Sequence, residues 1–238
     1  MIPIRTPHIR RAASALSGVV VLFATTVGGQ APNTLSAADK AAGWRLLFDG
    51  TSVTGWRGFK TTAPPAGWKA VDGALSRVGP GGDLMSDEEF GDFELQLEWK
   101  ISRNGNSGIM FHVITAGAAP YETGPEMQVL DNAGHEDGKD PKTSAGSNYA
   151  LHPPVRDVTK PVGEWNQVRL IVRGPHVEHW MNGVKLLEYE LWSPDWEARV
   201  KASKFNAWSG YGRARRGHLV LQDHGDAVAY RNIRIKPL

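Results

Sequence analysis

The segment Glu126-Met127-Gln128-Val129-Leu130-Asp131 holds two carboxylates and an amide on a short apolar stretch. On a regular strand Glu126 and Gln128 point to one face, while Met127 and Val129 point into a core. Asp131 falls on the opposite face unless a bulge intervenes. Two carboxyl groups ~5 Å apart can cleave a glycosidic bond with retention, so Glu126 and Asp131 could pair only across such a bulge. Gln222 and His224 share a face of another stretch, with Leu219 and Leu221 on the other and Asp223 beside them. A histidine so placed serves either as a general acid or base or as a structural donor to a carbonyl. Glu178 and Trp180 share a third face, with His179 opposite. That pattern is a carboxylate beside an aromatic platform, or simply an exposed strand face.

Two connections are long enough to carry function. Asp131 to Glu164 holds His135, Asp137, Asp140, Tyr149, His152 and Asp157; Trp192 to Gly217 holds Trp196, Lys201, Lys204 and Trp208. His135, His152, Trp196 and Lys204 are the loop candidates for a site. The run Asp131-Asn132-Ala133-Gly134-His135-Glu136-Asp137 offers oxygen ligands but fails the EF-hand spacing. No His-x-x-x-His zinc pattern occurs, no serine sits in a nucleophile elbow, and no glycine-rich phosphate loop follows a strand. No cofactor is assigned, and a divalent metal stays open.

The elements that must position these residues are strands. In Asp92–Lys100, Phe93, Leu95, Leu97 and Trp99 alternate with Glu94, Gln96, Glu98 and Lys100, the pattern of a sheet with one packed face and one wet face. Further strands are expected at Trp44–Phe48, Trp68–Val71, Gly108–Ile114, Glu126–Leu130, Asn166–Arg173, Val177–Met181, Val184–Glu190, His218–His224 and Val228–Lys236. Asn182-Gly183 is a hairpin turn signal. Ser36, with Asp39 as an imperfect capping-box partner, starts a short helix ending near Gly43. Ten or so strands without a long helix make an all-β sandwich or barrel.

The chain has 238 residues, no cysteine, a net charge of +2 and nine tryptophans. Residues 1–31 read as a secretory signal: Arg5, Arg10 and Arg11, then an uncharged stretch from Ala12 to Val27, then Gly28 and Gly29. That stretch is too short and diluted to span a bilayer comfortably. The expectation is an exported protein, periplasmic or extracellular, with no stable membrane span after signal removal. The remaining length fits one domain, from residue 43 to 238, held by packing rather than disulfides. Nothing in the charge argues for nucleic acid. Most of the tryptophans are expected in the core or at sheet corners; the rest offer faces for sugar rings.

An ordered set of motifs carries a family resemblance: Leu47-Phe48-Asp49-Gly50 with Gly55-Trp56, Phe93-Glu94-Leu95, Trp99-Lys100-Ile101, Asn106-Ser107-Gly108-Ile109, Glu126 to Asp131, Gly163-Glu164-Trp165-Asn166, Val177 to Gly183, Ser203-Lys204-Phe205, and Gly217 to Gly225. From about Gly43 to the end the chain resembles the 3-keto-disaccharide hydrolases, or 3-keto-glycoside lyases. The resemblance implies a concanavalin A-like jelly-roll β-sandwich of two antiparallel sheets. At the end of the Asn-Ser-Gly-Ile strand, where the family more often carries an arginine, this chain has His112. Gln128 stands where glucanases of the same superfamily carry an aspartate.

A 3-keto-glycoside substrate, as the resemblance implies, has an acidified proton on C2. A base removes it, the enolate is stabilised, the C1 substituent leaves with help from an acid, and water adds. Glu126 or His224 is the expected base, with Lys204 or a metal at the oxyanion. Gln128, Asp131, His152, Glu178, Trp180, Trp196, Gln222 and His112 are the expected substrate-binding residues. A second reading is a non-catalytic carbohydrate-binding module using Trp180, Trp196 and Gln128. A third is a retaining glycosidase using Glu126 and Asp131.

Overall fold

The computed structural model describes Met1 and residues 31–238; the expected signal segment lies almost wholly outside the described residues. Strands are numbered along the chain. The larger sheet runs β11 (Val184–Glu190), β10 (His176–Met181), β9 (Asn166–Arg173), β6 (Phe93–Ile101), β13 (Val228–Pro237), β4 (Ala74–Arg77) and β3 (Trp68–Val71), with β1 (Arg45–Leu46) also on β13. The smaller runs β2 (Trp56–Gly58), β5 (Leu84–Phe90), β12 (Gly217–Leu221), β7 (Asn106–Val113) and β8 (Glu126–Leu130). The pairings are antiparallel throughout, so the all-β sandwich of two antiparallel sheets is the observed architecture.

The alternation of β6 is realised as read. Phe93, Leu95, Leu97 and Trp99 are buried and meet Ile109, Phe111, Met127, Val129, Leu219 and Leu221 of the smaller sheet in one core. Burying each such side chain contributes roughly 1.5–3 kcal/mol. The opposite face of β6 carries charge ladders: Arg169 to Glu94 at 2.6 Å and Arg231 to Glu98 at 2.6 Å. The Asn182-Gly183 turn closes the β10–β11 hairpin with both residues at positive φ, 50° and 80°. Ser36 and Asp39 complete a reciprocal capping box on α1 (Ala37–Ala41).

The smaller sheet departs from the one-wet-face pattern. Strands β7, β8 and β12 are buried at every position. On the face away from the main core, Met85, Met110, Val113 and Val220 form a second apolar cluster under Phe59. The two long connections help cover this face and its edge. Residues 146–149 pair with β8 through Gly146 N to Gln128 O (2.8 Å), Gln128 N to Ser147 O (3.2 Å) and Tyr149 N to Glu126 O (3.0 Å), which closes an otherwise open sheet edge. The second connection contains α2 (Pro194–Lys201), started by Ser193 and Pro194. Polar side chains on this covered face are therefore enclosed, and the candidate site lies there.

Candidate active site

Gly108 is the floor of the site. Gln128 is its register partner on β8, and Gln222 binds its carbonyl from the other side, N to O at 3.0 Å. With no side chain at Gly108, the carboxyl group of Glu126 folds across the strand, and a methyl group there would overlap Glu126 Oε1. Asn106, two residues before Gly108, points to the same face. A cavity of about 140 Å³ stands above, lined by Asn106, Tyr121, Glu126, Gln128, Tyr149, Lys204, Phe205, Gln222 and His224. It is smaller than the roughly 300–1,000 Å³ of drug-sized pockets.

Burial raises the Glu126 carboxyl to about 8; Lys204 opposes the rise, and Asp83 and Asp137 add to it. Asp83 is itself raised to about 6, chiefly by burial. Its Oδ1 accepts from Asp223 N at 2.8 Å. Asn106 Oδ1, Gln128 Oε1 and Gln222 Oε1 are buried acceptors without a hydrogen-bond partner among the described residues. Such groups are costly unless a ligand or water completes them. Glu126 with these amide oxygens is also an oxygen-donor set of the kind hard divalent cations use. The grouped His and Glu residues His176, Glu178 and Glu188, within 4.8 Å of one another, sit instead on the β10–β11 hairpin.

Lys204 is placed by its neighbours. Ser203 Oγ accepts from Phe205 N at 3.1 Å and donates to Val200 O at 2.9 Å, fixing the turn. Phe205 is anchored at the end of an aromatic column: Phe205 on Tyr211 (3.9 Å), Tyr211 on Trp196 (5.9 Å), Trp196 on Tyr189 (5.5 Å) and Tyr189 on His152 (4.7 Å). The Lys204 ammonium lies 4.4 Å from the centre of the Tyr149 ring. Tyr149 in turn donates to Asp137 Oδ2 at 3.1 Å.

The structure thus brings together Glu126, Gln128, Lys204, Gln222 and His224. It places six expected residues elsewhere. Asp131 accepts from Asn104 N (2.8 Å) and Ala133 N (3.2 Å); no bulge turns it toward Glu126, and five residues of strand separate them by about 17 Å. His112 sits at φ 51°, which breaks the alternation of β7; its ring packs against Phe93 and Phe111, with Nε2 2.8 Å from Gly91 O. His152 and Trp196 are members of the aromatic column. Burial holds His152 at about 4, so it is neutral. Glu178 and Trp180 lie on the outer face of the larger sheet, Trp180 Nε1 donating to Glu178 at 2.6 Å while Arg169 and Lys185 cover the ring. His135 stands 6.3 Å from the His224 ring.

No tryptophan lines the cavity. Four of the nine are buried, Trp56, Trp68, Trp99 and Trp196, and the aromatic lining is Tyr121, Tyr149 and Phe205. Asn106, Gly108 and Tyr121 belong to the site without having been expected there, and Asp83 acts on it from outside the cavity through its charge on Glu126. The spacing of Asn106 and Gly108, two apart on a strand, was a usable signal; Asp83 had none.

Residues 43–236 match the profile of the 3-keto-alpha-glucoside-1,2-lyase-like domain. A 3-keto-disaccharide hydrolase of Bacteroides thetaiotaomicron is 34% identical over 252 residues, covering 92% of this chain and 87% of that protein. A solved Parabacteroides distasonis structure described as a glycosyl hydrolase superposes with a TM-score of 0.80 at 36% identity, covering 87% of this chain and 99% of its own. A second structure from that organism, at TM-score 0.65 and 24% identity, covers 82% of this chain and 99% of its own, and supports the fold alone. The protein is an enzyme of the glycoside-hydrolase kind, and its chain belongs to the 3-keto-alpha-glucoside-1,2-lyase-like family.

Proposed function

We propose that the enzyme cleaves 3-keto-glycosides, including 3-keto-disaccharides, by proton abstraction at C2 followed by elimination of the C1 substituent. The observation that carries this reading is that Glu126 is, among the described residues, the one carboxylate lining the cavity and that burial raises it to about 8. Hydrolysis by paired carboxylates needs a second one in the cavity. A general base works best when its pKa lies near the operating pH, and a carbohydrate-binding module needs no such group.

The Glu126 carboxylate takes the C2 proton. The electron pair left on C2 forms the C1–C2 double bond as the C1–O bond breaks, and the departing oxygen takes a proton from Lys204. His224, lining the same cavity, donates to the 3-keto oxygen as negative charge builds on it. Water then adds at C1, C2 takes a proton from Glu126, whose acid proton exchanges with solvent before it returns, and Lys204 regains its own from the water, for net hydrolysis. The unpartnered oxygens of Asn106, Gln128 and Gln222 accept hydrogen bonds from the sugar hydroxyls and hold the ring for reaction. The test is turnover of a 3-keto-glucoside against its unoxidised parent, with hydrogen–deuterium exchange at C2 followed by NMR. Turnover of the ketone with solvent deuterium at C2 is the expected result; activity on the parent alone contradicts it.

We infer in addition that the protein is exported, on the basic, uncharged and small-residue pattern of residues 1–31. Fractionation of the native host, with the mature N-terminus read by mass spectrometry, checks this; an intact N-terminus in the cytoplasmic fraction is the contrary outcome.

A further inference from the structure

Past Tyr149 and Lys204, the ring cavity adjoins a wider cleft of about 500 Å³ that shares these two residues in its lining and adds Lys142, Thr143, Arg199 and Ser203. Three of the lining side chains are cationic and none is a carboxylate. Among the described residues the lysines in ion pairs are Lys139, Lys185 and Lys236, so Lys142 and Lys204 keep unpaired charges facing the cleft. Arg199 is held in place by Leu151 O at 3.1 Å and by Asp195 at 2.7 Å. The charges of Arg199 and Lys142 also reach His152, where they reinforce burial in keeping the imidazole neutral. A different cleft, lined by Asp83 with Phe59, Pro64, Pro65 and Pro120, has no cationic side chain among the described residues of its lining. Lys142 and Lys204, with no ion-pair partner among the described residues, and the Asp195-paired Arg199 therefore mark the Lys204 side of the ring site.

We propose that this cleft is the subsite for the second unit of the substrate and selects a unit bearing a negative charge, a uronate carboxylate or a sulfate ester. The proposal rests on reading the adjoining cavity as the site of the 3-keto ring. A leaving unit seated here has its linking oxygen beside Lys204, the group that protonates it. Lys142 and Arg199 then meet an anionic substituent on its far side. Partly exposed ion pairs are individually weak, and two together give a preference of about fivefold to twentyfold, screened by salt.

The experiment compares kcat/KM of the full-length protein for three 3-keto-glucosyl disaccharides at low ionic strength. Their second units are glucose, glucuronate and 6-O-sulfoglucose. The expected result is a preference for the anionic units that fades with added salt. The larger gain of the two identifies the anion. Lys142 is exposed, so Lys142→Glu is expected to fold; it removes the preference, lowering kcat/KM for the anionic disaccharides at least about fivefold more than for the neutral one. Equal kcat/KM for charged and neutral substrates overturns the proposal, as does a preference that survives Lys142→Glu. If none of the three ketones turns over, the reading of the ring cavity fails separately. The cleft is then judged by calorimetric titration of the unoxidised glucose and glucuronate disaccharides: tighter binding of the uronate, lost in Lys142→Glu, supports the subsite, and any other result overturns it.

Discussion

The Glu126 carboxyl group lies directly over the α-carbon of Gly108, on the neighbouring strand, in the space a side chain would fill. A β-carbon there would overlap Oε1 and stand 2.7 Å from Cδ and 2.9 Å from Cγ. Gly108 is flanked on both sides by hydrogen-bonded strands, so its backbone cannot retreat, and the carboxyl group must move. Gly108→Ala is therefore expected to lower kcat/KM by about a hundredfold, the usual consequence of misplacing a reacting group by ~1 Å, with little change in circular dichroism. The double variant Gly108→Ala/Glu126→Asp, whose acid is one methylene shorter, should recover part of the loss. A Gly108→Ala enzyme with full activity removes Glu126 from the mechanism.

The pH dependence follows from Glu126 being raised to about 8. A base must be ionised, so kcat/KM should climb about tenfold per pH unit below that value and level off above it. Stability moves the other way. The folded-state pKa exceeds the unfolded one, so the stability this carboxyl contributes is fully present below ~4.5, is lost as pH rises toward 8, and is absent above. Glu126→Gln carries no charge to bury. Its melting temperature should exceed that of the wild type increasingly between pH 5 and pH 8, by an amount equivalent to a few kcal/mol, while turnover disappears. Differential scanning fluorimetry across that range checks the sign, and a pH-independent difference contradicts it.

The legible parts of the fold share a physical reason. Strand β6 has one packed and one wet face, so its alternation shows in the residue order. Strand β5 is hidden because its buried Leu84-Met85-Ser86 runs into exposed Asp87-Glu88-Glu89, and its register with β12 shifts between His218 and Val220. In the site, the same parity that places Glu126 and Gln128 on one face also identifies them as partners. Parity fails at His112, where a left-handed residue turns the side chain away. Tyr121 and Tyr149 reach the site only because distant segments fold onto the covered face, and nothing in their local sequence records that.

Trp196 and Trp180 distinguish an enzyme with an aromatic scaffold from a tryptophan-based binding module. Trp196 is fully buried within the column that ends at Phe205. Trp196→Ala should cost about 3–5 kcal/mol of stability and lower kcat through the displaced Lys204. Trp180 lies on the outer face of the other sheet, so Trp180→Ala should leave kcat/KM within about twofold of wild type, as expected for substitutions distant from a site. Denaturant titrations with parallel kinetics check both, and loss of substrate affinity in Trp180→Ala revives the binding-module reading.

Asp131 supplies the sharpest contrast with a retaining glycosidase. Its carboxylate caps Asn104 N and Ala133 N, tying the β6–β7 turn to the loop after β8, while Glu126 points into the cavity. Asp131→Ala leaves those two amides without their acceptor and should cost about 1–3 kcal/mol. Asp131→Asn keeps one acceptor oxygen and should lose less. Neither variant should change the product anomer or the pH profile, because Asp131 touches no reacting atom. A 2-fluoro glycoside should label no residue, because Glu126 takes a proton from C2 rather than attacking C1, and Asp131 is turned away to Asn104 N and Ala133 N. Intact-protein mass spectrometry reads this directly. A covalent adduct on Glu126 that is lost in Asp131→Asn would restore the paired-carboxylate mechanism.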